Sequence, residues 1–272
     1  MDFERDIEEF DLVFLDLETT GLDVVEGDAI CEVGAYKVRE RRQVDKFHSL
    51  VNPKKAVPKE AYNIHKISDE ELKNAPYFEQ IADRLRAFLG DSVICAYNIK
   101  FDMGFLNYEL KRLGSPQLEM PAVDILTMAR KALRLPKYNL GAIALLFNVE
   151  YKDELHRALN DAYVAQEVFF KLRDILKQSR IDTLGDFVSL YGFENEVFKK
   201  QEEKKIGIIK EAGEKKEPLQ IRYVLSGGQI QQVGVKSVNL SQENNAYYLW
   251  CHSCAGQSFR VKLSDVLSIE VK

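Results

Sequence analysis

The chain has 272 residues, 46% hydrophobic and 30% charged, with a formal net charge of -5. That is enough for a large core in one or two domains, but it excludes a protein that holds nucleic acid by bulk charge; such a partner needs local patches and metals. The cysteines Cys31, Cys95, Cys251 and Cys254 form no disulfide framework, the acidic N-terminal stretch has no signal core, and no apolar run is long enough to span a membrane. A soluble, cytoplasmic protein is the expectation.

The apolar run Leu12–Leu15 predicts a buried central strand that continues into Asp16 and Glu18. Side chains two apart on a strand share a face, so both carboxylates project together at its end. Thr19-Thr20-Gly21 breaks the strand. Ala29–Val38, with Glu32 in an apolar context, and Val44–Val51 predict two further strands joined by a charged hairpin tip at Arg39–Arg42. Ser68-Asp69-Glu70-Glu71 has the pattern of a capping box, and Tyr77–Leu89 that of an amphipathic helix. Val93–Ala96 is a short strand, followed by a helix over Met103–Leu113 that ends at Gly114. Pro121–Asp124 is a brief strand. Helices are predicted over Ile125–Leu135, Leu140–Phe147 and Asn160–Gln178, and a further one within Ile181–Phe198. Three opening strands and then alternating strands and helices imply an α/β fold, a mixed sheet with flanking helices. The run Lys199–Glu217 mixes seven lysines with five glutamates and predicts a linker or solvated helix. After Pro218 come the short strands Leu219–Val224, Ile230–Val238, Tyr247–Cys251 and Ser258–Leu263, a small all-β module.

Two carboxylates on an otherwise apolar strand repel one another and are costly to bury. A divalent cation removes that cost, and hard oxygen ligands suit Mg2+ or Mn2+. Asp102 follows a strand end and can point into the same crevice, since ligands of open sheets bind beyond the strand ends. Asp161 opens the last long helix, and His156 lies on the loop before it, where it can fold back over the site. Cys251 and Cys254 form a single CxxC without a second pair, a weak zinc signal.

Asp16-Leu17-Glu18-Thr19-Thr20-Gly21, Asn98-Ile99-Lys100-Phe101-Asp102, and His156 with Asp161 resemble, in order, the three motifs of the DEDDh exonucleases, the family of the proofreading epsilon subunit of bacterial DNA polymerase III. The resemblance covers roughly residues 8–178. Ile64-His65-Lys66-Ile67 resembles the family's Ile-His-Gly-Ile, with lysine for glycine, and Asp124-Ile125-Leu126 and Tyr138-Asn139-Leu140 resemble the segments leading to the third motif. The resemblance implies an RNase H-like fold and metal-dependent 3'-5' hydrolysis of nucleic acid, most directly of DNA in proofreading or repair. It implies two Mg2+ or Mn2+ ions: Asp16, Glu18 and Asp161 hold the first, and Asp16 bridges to the second with help from Asp102. His156 is then the general base, a task that suits an imidazole near neutral pH. Thr20 would lie near the 3'-hydroxyl, Leu22 and Phe101 against the last bases, and His65 along the terminal nucleotide; Thr19, Gly21 and Asn98 complete the substrate-binding set. A polymerase or another protein is a partner this family admits.

Ile221-Arg222-Tyr223, Tyr247-Tyr248-Leu249 and Ser258–Glu270 resemble a WYL domain, an SH3- or Sm-like barrel, with Tyr247 in place of the name-giving tryptophan. The expected division is an exonuclease domain at 1–178, a helical, charged linker at 179–217 and a WYL-like module at 218–272. Tyr223, Tyr247, Tyr248, Trp250 and Phe259 could stack on bases where exposed. The alternatives are an RNA-trimming exoribonuclease of the same family and a non-catalytic nucleic-acid-binding protein, which the five intact catalytic positions argue against. Sequence does not separate DNA from RNA, because that choice depends on pocket shape.

Overall fold

The computed structural model describes residues 1–150, 156–225, 228–244 and 246–272. Contacts divide it into two compact units: Glu8–Leu172, and Arg173–Lys272 together with Met1–Ile7.

The first unit is built on β1 (Leu12–Thr19), which is buried along nearly its whole length. β2 (Ile30–Arg39) and β3 (Arg42–Leu50) follow as an antiparallel meander, as the hairpin tip predicts. The short helices α1 (Lys59–His65) and α2 (Asp69–Leu72) come next, α2 opened by the expected Ser68–Glu71 capping box. α3 (Phe78–Leu89) buries Ile81, Leu85 and Leu89. β4 (Val93–Ala96) leads into α4 (Ile99–Arg112), and β5 (Ala122–Asp124) into α5 (Ile125–Ala132). α6 (Leu140–Leu146) and α7 (Ala158–Lys177) complete the series. The sheet order is β3-β2-β1-β4-β5, with β4 parallel to both β1 and β5. This is the mixed, RNase H-like α/β sheet expected, and β1 lies at its centre because its apolar side chains are covered on both faces. Phe14 meets Phe169 of α7 edge-on, with centroids 5.3 Å apart.

The second unit carries α8 (Leu184–Tyr191), α9 (Glu196–Lys215) and an antiparallel sheet of β6 (Leu219–Val224), β7 (Ile230–Glu243), β8 (Ala246–Ser253), β9 (Ser258–Lys262) and β10 (Val266–Val271), ordered β10-β6-β7-β8-β9. The segment 179–217, expected as a helical, charged linker, carries α8 and α9. α8 is almost wholly buried, and α9 sends Ile209 and Ala212 into a core with Leu219, Ile221, Val235 and Leu249. Most of its charges lie on the remaining face, which is why they look like a solvated run in sequence, but Lys205 turns inward and donates to Ser189 Oγ and the Val266 carbonyl. The strand alternation sorts the module's aromatics. Tyr223 and Phe259 stack at 5.4 Å, with Tyr223 buried, while Trp250 is 49% exposed.

Residues 1–7 join this second unit. Ile7 N–H donates to the Asp182 carbonyl, Leu184 N–H to Arg5, and Gly185 N–H to Phe3. Arg173, the largest fully buried side chain, donates to Asp6 Oδ2 at 2.5 Å. Among the described residues no helix is long and apolar enough to cross a membrane. Because one partner of this pair is buried, Asp6→Ala should lower stability by about 1–3 kcal/mol. Urea denaturation checks this, and an unchanged midpoint would refute a holding role for the pair.

Candidate active site

The register between β1 and β2 sets the site. Asp16 faces Gly34 and Glu18 faces Glu32 across the ladder, and the pairing shifts just beyond, between Glu18 and Thr19. A Cβ at Gly34 would lie 2.2 Å from the backbone nitrogen of Leu159. Only a glycine lets the first turn of α7 come down onto the strand at that point. The approach brings Asp161, in that first turn, over the carboxylates of β1. Asp102 arrives from the other side, in the first turn of α4. This helix starts earlier than its sequence pattern indicates. Asn98 takes a left-handed conformation (φ 71), and its N–H and that of Ile99 donate to Asp124 Oδ1 at 3.0 and 3.4 Å.

One ligand atom each from Asp16, Glu18 and Asp161 falls within a 4.8 Å cluster. Asp102, 2% exposed, stands outside that group. Burial, then repulsion from Asp102, Glu18 and Asp161, pushes the Asp16 carboxyl well above its usual range. Burial and the charges of Asp161, Glu32 and Asp102 push Glu18 up to about 8. Asp102 and Asp161 are raised chiefly by burial. Asp161 Oδ1 is buried with no hydrogen-bond partner, and Oδ2 lies 3.9 Å from His156 Nδ1. An orphaned carboxylate oxygen among mutually repelling acids fits a divalent cation, so the donor set matches the expected metal. His156 is 53% exposed and adopts a left-handed backbone (φ 62) immediately before α7.

Sequence reasoning left Glu32 without a role. It is 1% exposed, and its carboxylate accepts from Arg157 Nη2 (2.8 Å), Arg157 Nε (3.1 Å) and Ala158 N–H (3.0 Å), and is bonded to His48 Nε2 (2.7 Å). Burial raises its pKa, but these bonds outweigh burial and hold the carboxyl at about 2. Glu32 thus clamps the two residues that follow His156. The visible signal was a carboxylate two residues before a glycine in an apolar strand.

The expected substrate residues divide. Leu22 is 85% exposed, and Phe101 is half-buried against Phe105 with centroids 4.9 Å apart; both are open to a base. Asn98 is exposed. Thr20 is tied into the loop that follows β1. Its N–H donates to the Ala29 carbonyl, and its hydroxyl donates to Asp28 Oδ1 and accepts from Ala29 N–H, so the residue pins the following loop. Gly21 has the Asp28 carboxylate packed against it, and the Thr19 hydroxyl donates to the Gly21 carbonyl. His65 is 1% exposed, and its Nδ1 accepts from Ile67 N–H. It braces the turn after α1, where Lys66 is left-handed (φ 59) at the position of the family's glycine.

The sequence profile of the exonuclease family (RNase_T) matches residues 13–169. The chain belongs to this exonuclease family. It is 40% identical over 166 residues to the DNA polymerase III subunit epsilon of Rickettsia felis, covering 59% of this chain and 72% of that one. It is 34% identical over 178 residues to the PolC-type DNA polymerase III of Thermotoga maritima, covering 65% of this chain but 13% of that much longer one. Exonuclease X in complex with 5' overhanging duplex DNA has the same fold, with a TM-score of 0.52 at 22% identity over 66% of this chain and 98% of that one. So does the nuclease domain of 3'hExo, a DEDDh family member bound to rAMP (TM-score 0.55, 13% identity, 62% and 94% covered). The protein is a 3'-5' exonuclease of the DnaQ/DEDDh type, a divalent-metal-dependent class.

Glu18 and Glu32 predict opposite pH behaviour. With its folded pKa raised from an ordinary 4.5 to about 8, Glu18 keeps a proton that the unfolded chain gives up, so metal-free stability falls as pH rises through that window. With its folded pKa lowered to about 2, Glu32 contributes stability above about 4.5 that is lost as pH falls toward 2. Melting temperatures in EDTA should therefore show Glu18→Gln flattening the decline as pH rises from about 4.5 to about 8, and Glu32→Gln flattening the decline as pH falls below about 4.5. Mn2+ or Mg2+ should raise the melting temperature most at the alkaline end.

Proposed function

We propose that this exonuclease removes nucleotides from the 3' end of DNA, in proofreading or repair, using two Mg2+ or Mn2+ ions. The carrying observation is the carboxylate cluster of Asp16, Glu18 and Asp161, with His156 Nδ1 at 3.9 Å from Asp161 Oδ2. Asp16, Glu18 and Asp161 would hold one ion, with Asp16 shared by the second and Asp102 supporting it. When bound, the ions supply Lewis-acid stabilisation of the charge that develops on the attacked phosphate. His156 takes a proton from the attacking water; Nδ1 faces Asp161, which leaves Nε2 to accept it. Water adds to the terminal phosphorus, the upstream 3'-oxygen leaves, and the products are a nucleoside 5'-monophosphate and a strand one residue shorter. Leu22 and Phe101 offer apolar surface to the last bases. The similarity to polymerase III epsilon subunits favours DNA as substrate, a polymerase as partner and a cytoplasmic location. The C-terminal module, read as WYL-like, would add a contact to nucleic acid through Arg260, whose guanidinium lies over the Tyr248 ring at 3.9 Å and the Trp250 ring at 4.9 Å.

Matched 3'- and 5'-labelled DNA and RNA oligonucleotides with Mg2+ or Mn2+ test this directly. The expected result is stepwise release of mononucleotides from the 3' end, faster for DNA. Full activity in EDTA, or undiminished hydrolysis by Asp16→Ala, would sink the metal assignment. His156→Ala should lower turnover by about 10^2- to 10^4-fold with little change in DNA affinity. Weakened binding with normal turnover at saturation would make His156 a substrate contact.

A further inference from the structure

Between Ile125 and Val149 there are four cations, Arg130, Lys131, Arg134 and Lys137, and no carboxylate, in a chain whose net charge is -5. Arg130 and Lys131 sit in the last turn of α5, where the helix dipole alone would favour them. That does not account for Arg134 and Lys137, which lie beyond the helix on the loop to α6 and are exposed. Nor does an internal ion pair. Arg134 Nη1 reaches only the carbonyls of Arg130 and Leu133, at 3.5 and 3.3 Å, and no carboxylate among the described residues pairs with Arg130, Arg134 or Lys137. Lys131 is engaged already.

The loop is a fixed platform. The Tyr138 hydroxyl donates to the Leu133 carbonyl at 3.0 Å and accepts from Leu135 N–H at 3.1 Å, closing the loop on itself. The Tyr97 hydroxyl donates to the Tyr138 carbonyl at 2.5 Å. Tyr97 immediately precedes Asn98, whose N–H is held by Asp124, so the basic loop is tied to the turn that launches α4 and Asp102. A cluster of carboxylates repels the polyanion it must admit, and cations held beside it offset that repulsion along the approaching backbone.

We infer that Arg130, Arg134 and Lys137 form a phosphate track that grips the strand upstream of its 3'-terminal nucleotide. This rests on the nucleic-acid substrate proposed above. The track predicts a charge contribution to binding that scales with strand length and is absent for a substrate with no upstream phosphate.

The test compares the full chain with an Arg130→Gln, Arg134→Gln, Lys137→Gln variant. Fluorescence anisotropy of a labelled single-stranded 12-mer in EDTA, across a salt series, reads binding without turnover. Each lost contact should reduce the slope of log affinity against log salt by about 0.7, so three should reduce it by about 2. Turnover of a dinucleoside monophosphate with Mn2+ should match the unsubstituted protein, while that of the 12-mer at moderate salt should fall at least tenfold. An unchanged salt slope, or equal losses on the dinucleoside and the 12-mer, would overturn the track. If the slope changes but the unsubstituted protein hydrolyses neither substrate, the track stands and the proposed reaction fails.

Discussion

The site depends on the buried contact between Glu32 and the backbone and side chain of residues 157 and 158. Gly34 lets α7 approach the strand, and Glu32 fixes where it stops. Neither residue is among the metal-facing carboxylates. Yet the two decide whether Asp161, in the first turn of the helix, stands over Asp16 and Glu18, and where His156 leaves the chain. An ion pair with one fully buried partner contributes little net stability against an apolar substitute, but removing one member is costly. Its value here is therefore geometric: it admits one placement of the helix start and excludes neighbouring ones.

The same face of the sheet holds charges that resist one another. Glu18 and Glu32 are cross-strand neighbours, a like-charged pair that ordinarily destabilises a sheet. The fold resolves the conflict by giving Glu32 internal donors, while among the described residues Glu18 has no ion pair and feels Arg157 only at a distance. One acid becomes part of the scaffold, and the other stays available to a ligand. Similar side chains on adjacent strands thus differ in role because of the partners supplied by residues 157 and 158 and by His48 of β3.

Much of this was legible in the sequence because the informative spacing was local. Asp16 and Glu18 share a face by strand periodicity, and the capping box at Ser68 needs four consecutive residues. What escaped was set by distant partners. Arg157 is 125 residues from Glu32, and its role appears only when α7 packs on β2. The bonds of Thr20 form only when Asp28 and Ala29 return to take up its hydroxyl and N–H. His65 is enclosed by packing that a helix of seven residues does not announce. Likewise β10 follows only a brief turn and finds its place through β6, more than forty residues earlier, and the charges of α9 hide the apolar anchors Ile209 and Ala212 in sequence.

The grouping of residues 1–7 with 173–272 has a consequence for the order in which the chain can mature. Domains generally fold as units while the ribosome is still extending the chain. The segment Glu8–Leu172 has all its strands in hand before the C-terminal sheet has been synthesised. Residues 1–7, although made before that sheet, find their hydrogen-bonding partners only once Asp182, Leu184 and Gly185 have emerged. A nascent chain therefore carries a nuclease sheet that is already assembled and a leading segment that still waits, so the Asp6–Arg173 pair is a late event in its biogenesis.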